Sequence, residues 1–224
     1  SEDSGESNPR FSPDGKYLAF VAARSDGNSE DSDDPKGKSQ VWLLNRSGGE
    51  AARLTQMPGG VSSFDWSPDS KRLVLVSRDP VDAENGDDDS TDEDAAEEKG
   101  KSHDTPKPIV VDRYAFKRDG QGWLGHRYQR LYVFDLATRA ASLLTPGPYD
   151  STQPAWGPGS DVIAFTSKRQ GDPDRHDNTD IYVVVAEEGA EALQVTSWEG
   201  PDRNPVFSPD GSKIAYLQDG PLKY

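Results

Sequence analysis

The densest chemistry in the chain lies between residues 113 and 130. Arg113, Lys117, Arg118, Arg127 and Arg130 fall within eighteen residues, interleaved with Tyr114, Phe116, Trp123 and Tyr128. Guanidinium groups hold carboxylates and carbonyls in a two-pronged grip, and aromatic area can pin such a segment in place. Arg113, Tyr114, Lys117, Arg118 and Arg127 are therefore the candidate substrate-binding residues. The competing reading pairs these bases with Asp112, Asp119 and the acidic sequence upstream. No nucleophile accompanies them. The chain has no cysteine, and no Gly-x-Ser-x-Gly elbow occurs. Gly37-Lys38-Ser39 runs on into Gln40-Val41, and Gly60-Val61-Ser62 into Ser63-Phe64. No catalytic residue is assigned. The histidines, His103, His126 and His176, all stand in loop or insertion sequence.

Metal and cofactor chemistry find little support. The stretch from Asp26 begins like a calcium loop, but that loop needs Gly at its sixth position and Glu at its twelfth. Asp31 and Gly37 stand there instead. His176 beside Asp174 and Asp177 reads as a solvated histidine in a polar loop. We expect neither metal nor cofactor.

The net charge of −15 comes from 40 acids against 25 bases over 224 residues. Five acids lie in residues 26–34 and ten in residues 82–98, with no base in either segment. Removing those fifteen leaves 25 acids against 25 bases. The remainder is thus an ordinary neutral domain with two acidic insertions. Such blocks stay solvated by self-repulsion; residues 82–98 are expected to be mobile and the basic-aromatic stretch ordered. The charge argues against nucleic acid as a partner. No run of 18 apolar residues exists, so no membrane span is expected. With neither a leader nor a cysteine, the sequence leans to the cytoplasm rather than the periplasm or secretion.

A repeat positions these features. Four segments carry an aromatic followed by a proline turn: Phe11-Ser12-Pro13-Asp14-Gly15, Trp66-Ser67-Pro68-Asp69-Ser70, Trp156-Gly157-Pro158-Gly159-Ser160 and Phe207-Ser208-Pro209-Asp210-Gly211. Proline presets φ for the second position of a type I turn, and Asp and Gly suit the positions after it. Three residues beyond each turn comes an apolar run: Leu18-Ala19-Phe20, Leu73-Val74-Leu75, Ile163-Ala164-Phe165 and Ile214-Ala215-Tyr216. Each unit reads as a β-hairpin. In the first three units a second hairpin follows. It opens at Val41-Trp42-Leu43, Leu131-Tyr132-Val133 or Ile181-Tyr182-Val183 and closes at Leu54-Thr55, Leu144-Thr145 or Val195-Thr196.

Without its insertions the repeat has a period of roughly 45 residues, suited to four-stranded propeller blades. The expected fold is all-β: a β-propeller fragment of three four-stranded antiparallel blades plus one hairpin of a fourth. The units are assigned as residues 1–60 with the acidic insertion 26–38, then 61–149, then 150–200, and a final hairpin at 201–224. The second unit carries the acidic insertion 82–107 and the basic-aromatic insertion 112–130. The first strand of each blade should be innermost. Phe11, Trp66, Trp156 and Phe207 are expected in the core between blades. Three and a half blades cannot close a ring, so the chain is expected to be a segment of a longer protein.

An aromatic with Ser-Pro-Asp-Gly, then Leu/Ile-Ala-Phe, Ile-Tyr-Val and Leu-Thr, resembles the blades of TolB-like propellers. It equally resembles the N-terminal propellers of the prolyl oligopeptidase family. Residues 111–124, Val-Asp-Arg-Tyr-Ala-Phe-Lys-Arg-Asp-Gly-Gln-Gly-Trp-Leu, are similar to an insertion of the acylaminoacyl-peptidase branch. The resemblance implies a non-catalytic propeller that gates and helps anchor short peptides for an α/β-hydrolase domain outside this chain. That domain would supply a Ser-Asp-His triad. The alternative it implies is a TolB-like module for protein–protein interaction. Homo-oligomerisation is left open.

Overall fold

The computed structural model describes residues 5–24, 38–80, 117–118, 122–123, 127–171 and 176–220. The acidic segments, Arg113, Tyr114, His103 and His126 lie outside them. The first sheet runs β1 (Ser7–Phe11), β2 (Tyr17–Ala22), β3 (Gln40–Asn45) and β4 (Ala52–Arg53), each antiparallel to the last. The second starts with β5 (Ser63–Trp66) and β6 (Arg72–Arg78). A small separate hairpin, β7 (Lys117–Arg118) and β8 (Gly122–Trp123), comes next in the chain. The sheet then resumes with β9 (Gln129–Asp135), paired to β6, and β10 (Ala141–Leu143). The third holds β11 (Ser151–Trp156), β12 (Val162–Ser167), β13 (Asp180–Val185) and β14 (Leu193–Gln194). A two-stranded sheet, β15 (Asp202–Phe207) and β16 (Ile214–Gln218), follows. Three four-stranded antiparallel blades and a hairpin result, with no helix among the described residues.

Successive side chains of a strand face opposite sides of its sheet, which explains the unbroken apolar runs. Leu73 and Leu75 of β6 pack toward Ala19, Val21 and Val41 of the first blade. Val74 and Val76 of the same strand pack the other way, onto Trp156, Ile163 and Phe165. β6 is therefore buried on both faces. The first strands β1, β5, β11 and β15 neighbour one another in sequence order, the arrangement of innermost propeller strands. Trp66 and Trp156 are buried between blades as expected. Phe11 is not: it is 62% exposed, with no sheet among the described residues covering it, and the Arg46 guanidinium lies 5.1 Å from its ring. Phe207 is half-buried.

The turns repeat down to their hydrogen bonds. Ser12 Oγ donates to Asp14 Oδ1 at 2.7 Å and accepts from Tyr17 N at 3.0 Å. Ser67 and Asp69 do the same, as do Ser208 and Asp210. The Ser12 hydroxyl, joined by Lys16, holds the Asp14 carboxyl down at about 2; the Ser208 hydroxyl does so for Asp210. Gly15 and Gly211 end their turns at φ 72° and 71°, in the left-handed region glycine tolerates. Ser70 and Ser160 hold φ 61° there, and their hydroxyls reach the preceding blade's turn. Asp14 N donates to Ser70 Oγ at 3.0 Å and Asp69 N to Ser160 Oγ at 3.1 Å.

The closing threonines have a physical role. Val41 N, Leu131 N and Ile181 N each donate to a threonine hydroxyl, of Thr55, Thr145 and Thr196 respectively, at 2.9 Å. The hydroxyl replaces a carbonyl where the fourth strand has ended, so these three amides are not orphaned.

Candidate functional site

The connections from second to third strand, and from each blade to the next, all leave by one rim. The other rim carries only the tight turns. The described strand ends that lead into the insertions therefore lie on a single side.

The long insertion is held at its neck. Asp79 N donates to Tyr128 O at 2.9 Å, and Tyr128 N returns a bond to Asp79 Oδ2 at 3.2 Å. Arg130 Nε donates to Asp79 Oδ1 at 2.5 Å, and its Nη1 bonds Gly147 O. Arg127 Nε donates to Asp79 O at 3.2 Å. Arg127 and Arg130 thus converge on Asp79, upstream of the insertion; Asp112 and Asp119 lie outside the described residues. Lys117 and Arg118 form β7. The structure does not bring these candidates into one described site.

A second constellation, absent from the sequence reading, lies in the third blade. The Arg169 guanidinium sits 4.8 Å from the Tyr182 ring, 5.3 Å from Phe165 and 5.4 Å from Tyr149. Its Nε donates to Ser167 Oγ at 3.2 Å. Burial pulls its pKa down, against the opposing pull of Tyr182 and Tyr149. The usable signal was an arginine four residues beyond the second-strand aromatic, at Phe20–Arg24 and again at Phe165–Arg169.

Buried carboxyls flank the next blade. Asp180 Oδ2 accepts from Gln170 Nε2 at 2.7 Å and Gln194 Nε2 at 3.1 Å. Asp202 Oδ1 accepts from Gln218 Nε2 at 3.1 Å. Burial raises the Asp180 pKa, and Asp202 nearby adds to that rise. His176 Nδ1 accepts from Asn178 N at 3.2 Å, and Asp177 pairs with Lys168 at 3.8 Å. Among the described residues no three His, Asp or Glu side chains are placed to hold a metal ion.

Comparison with known proteins matches this fold. No family model matches the chain. A protein of Bacillus subtilis (strain 168), named as the uncharacterized peptidase YuxL, is 30% identical over 177 residues. That alignment takes in 79% of this chain and 24% of the relative, so the chain spans about a quarter of its length. Acylaminoacyl peptidase of Pyrococcus horikoshii superposes with a TM-score of 0.61 at 20% identity, over 100% of this chain and 29% of that one. TolB from Acinetobacter baumannii does so with 0.55 at 18% identity, over 99% and 39%. The resemblance in the blade motifs, to propellers of peptidases and of TolB, is what these comparisons return.

Proposed function

We propose that this chain is the non-catalytic propeller part of a serine peptidase of the prolyl oligopeptidase type. In this reading an α/β-hydrolase domain outside the 224 residues supplies the nucleophile. The propeller limits access to it and helps anchor short peptides. The carrying observation is the 30% identity to a named peptidase across blades whose second-to-third-strand connections leave by one rim. A rim built this way can face a partner domain and present Arg127, Lys117, Arg118, Arg113 and Tyr114 beside the entrance. The uncovered faces at Phe11 and at Val206 and Leu217 suit further blades, since propeller units bury their faces on neighbours. The unit boundaries at 60, 149 and 200 belong to the same proposal.

Chain-length dependence of hydrolysis by the full-length protein tests it. We expect kcat/KM to fall steeply as peptides lengthen or fold. Equal cleavage of folded proteins and short peptides would overturn the gating role. The likeness to TolB favours a second reading, a protein-binding module, in which the full-length protein hydrolyses no peptide.

A further inference from the structure

The repeat allows one blade to be compared with another, residue by residue. In the first blade, Arg24 lies over the rings of Phe20 and Trp42, at 5.2 and 5.8 Å, and its Nη2 bonds the Glu6 carboxylate. In the third, Arg169 lies over Phe165 and Tyr182, which pair across β12 and β13 as Phe20 and Trp42 pair across β2 and β3. Asn8-Pro9 and Gln153-Pro154 set the alignment of β1 with β11, each with a left-handed residue before proline, φ 54° and 51°, at a bulge. On that alignment the position of Glu6 is taken by Ser151. Ser151 is buried, and its hydroxyl has no hydrogen-bond partner among the described residues.

The third blade therefore keeps the cation and lacks the matching anion. Among the described residues no carboxylate pairs with Arg169, and Asp177 is engaged by Lys168. Three rings and the Ser167 bond fix the plane of the guanidinium, while both Nη atoms lack an acceptor among the described residues. A planar fork held this way is prepared for a two-pronged bond to a carboxylate.

We propose that Arg169 is a carboxylate anchor on the insertion rim: it takes a peptide's carboxylate in the place that Glu6 fills for Arg24. This deepens the peptide-handling function above and rests on it. At the position of Glu6 the third blade carries the neutral Ser151, so no side chain of that strand competes with the peptide's carboxylate for the fork. Low local polarity strengthens such a contact relative to water.

The test is direct binding, by calorimetry, to the full-length protein treated with a fluorophosphonate. Three probes are acetyl-trialanine as the free acid, the same peptide as its amide, and acetyl-Ala-Glu-Ala amide. At least one of the two carboxylate peptides should bind about ten-fold tighter than the neutral amide. Which of them does so separates a C-terminal from a side-chain carboxylate. Arg169→Lys, which keeps the charge and loses the fork, and Arg169→Gln should both erase that preference. Ser151→Glu, which puts a carboxylate at the strand position of Glu6, should also erase it. A wild-type protein that binds neither carboxylate peptide better than the amide overturns the anchor, as do Arg169 variants that retain the preference. If Ser151→Glu fails to fold, the Arg169 pair alone decides. Peptide hydrolysis by the untreated protein is read separately and tests the peptidase reading.

Discussion

Removing Arg130 should open the neck of the long insertion. Its guanidinium reaches Asp79 at 2.5 Å, with further bonds to Gly147 O and, at 3.5 Å, Thr145 O, and lies 5.7 Å from the Tyr128 ring. An exposed ion pair contributes at most about 1 kcal/mol, whereas breaking a fully buried one costs about 3–5 kcal/mol. The two side chains are 16% and 23% exposed, so Arg130→Ala falls between, at about 2–3 kcal/mol. The cost is local, because the bonded groups flank one opening. The amides of Asp79 and Tyr128, which donate across the neck, report it by hydrogen exchange. Their protection should fall roughly 30- to 150-fold. Asp79→Asn keeps an acceptor for Tyr128 N and should lose less. A change below about three-fold at both amides in Arg130→Ala would refute the clamp.

Thr145→Val leaves Leu131 N without its acceptor at a buried position and should destabilise by about 1–3 kcal/mol, while Thr145→Ser restores most of it; denaturant unfolding reads both. Asp14 and Asp210, held at about 2 against 3.8 for the unfolded chain, contribute stability that is full above the unfolded value. It is lost as pH falls toward 2. Carboxylate titration by NMR should show Asp210 returning toward its ordinary value in Ser208→Ala, and no movement would discount the hydroxyl. In the full-length protein, fluorophosphonate labelling should map by mass spectrometry to a serine outside residues 1–224; a labelled serine within them would contradict the absence of a nucleophile.

The blades were legible because their determinants are local. Each turn is specified by its proline, followed by Asp in three of the four, and each buried strand by its apolar run. The left-handed bulges at Asn8, Gln153 and Asn204 are not legible in the sequence, because the residue before proline ordinarily avoids α conformations. The second blade, with no proline before Asp65, has no bulge there. Arg127 and Arg130 were read with neighbours in sequence, yet they bond Asp79, 48 and 51 residues upstream. No composition argument reaches that far. Phe11 was assigned to the core from its place in the repeat, which says nothing of whether a neighbour covers that face. Arg169 has only Lys168 beside it and lacks the interleaved bases and aromatics of residues 113–130, so its sequence neighbourhood carries no signal of a site.

The central claim is that the insertion rim, rather than the rim of tight turns, meets the peptide. A photoreactive residue placed at Gln129, on the insertion rim, and another at Ser47, in a tight turn of the opposite rim, test it in the full-length protein. On irradiation with a bound peptide, a cross-link should form from position 129 and not from position 47. A cross-link from position 47 alone, or from neither, would contradict the account.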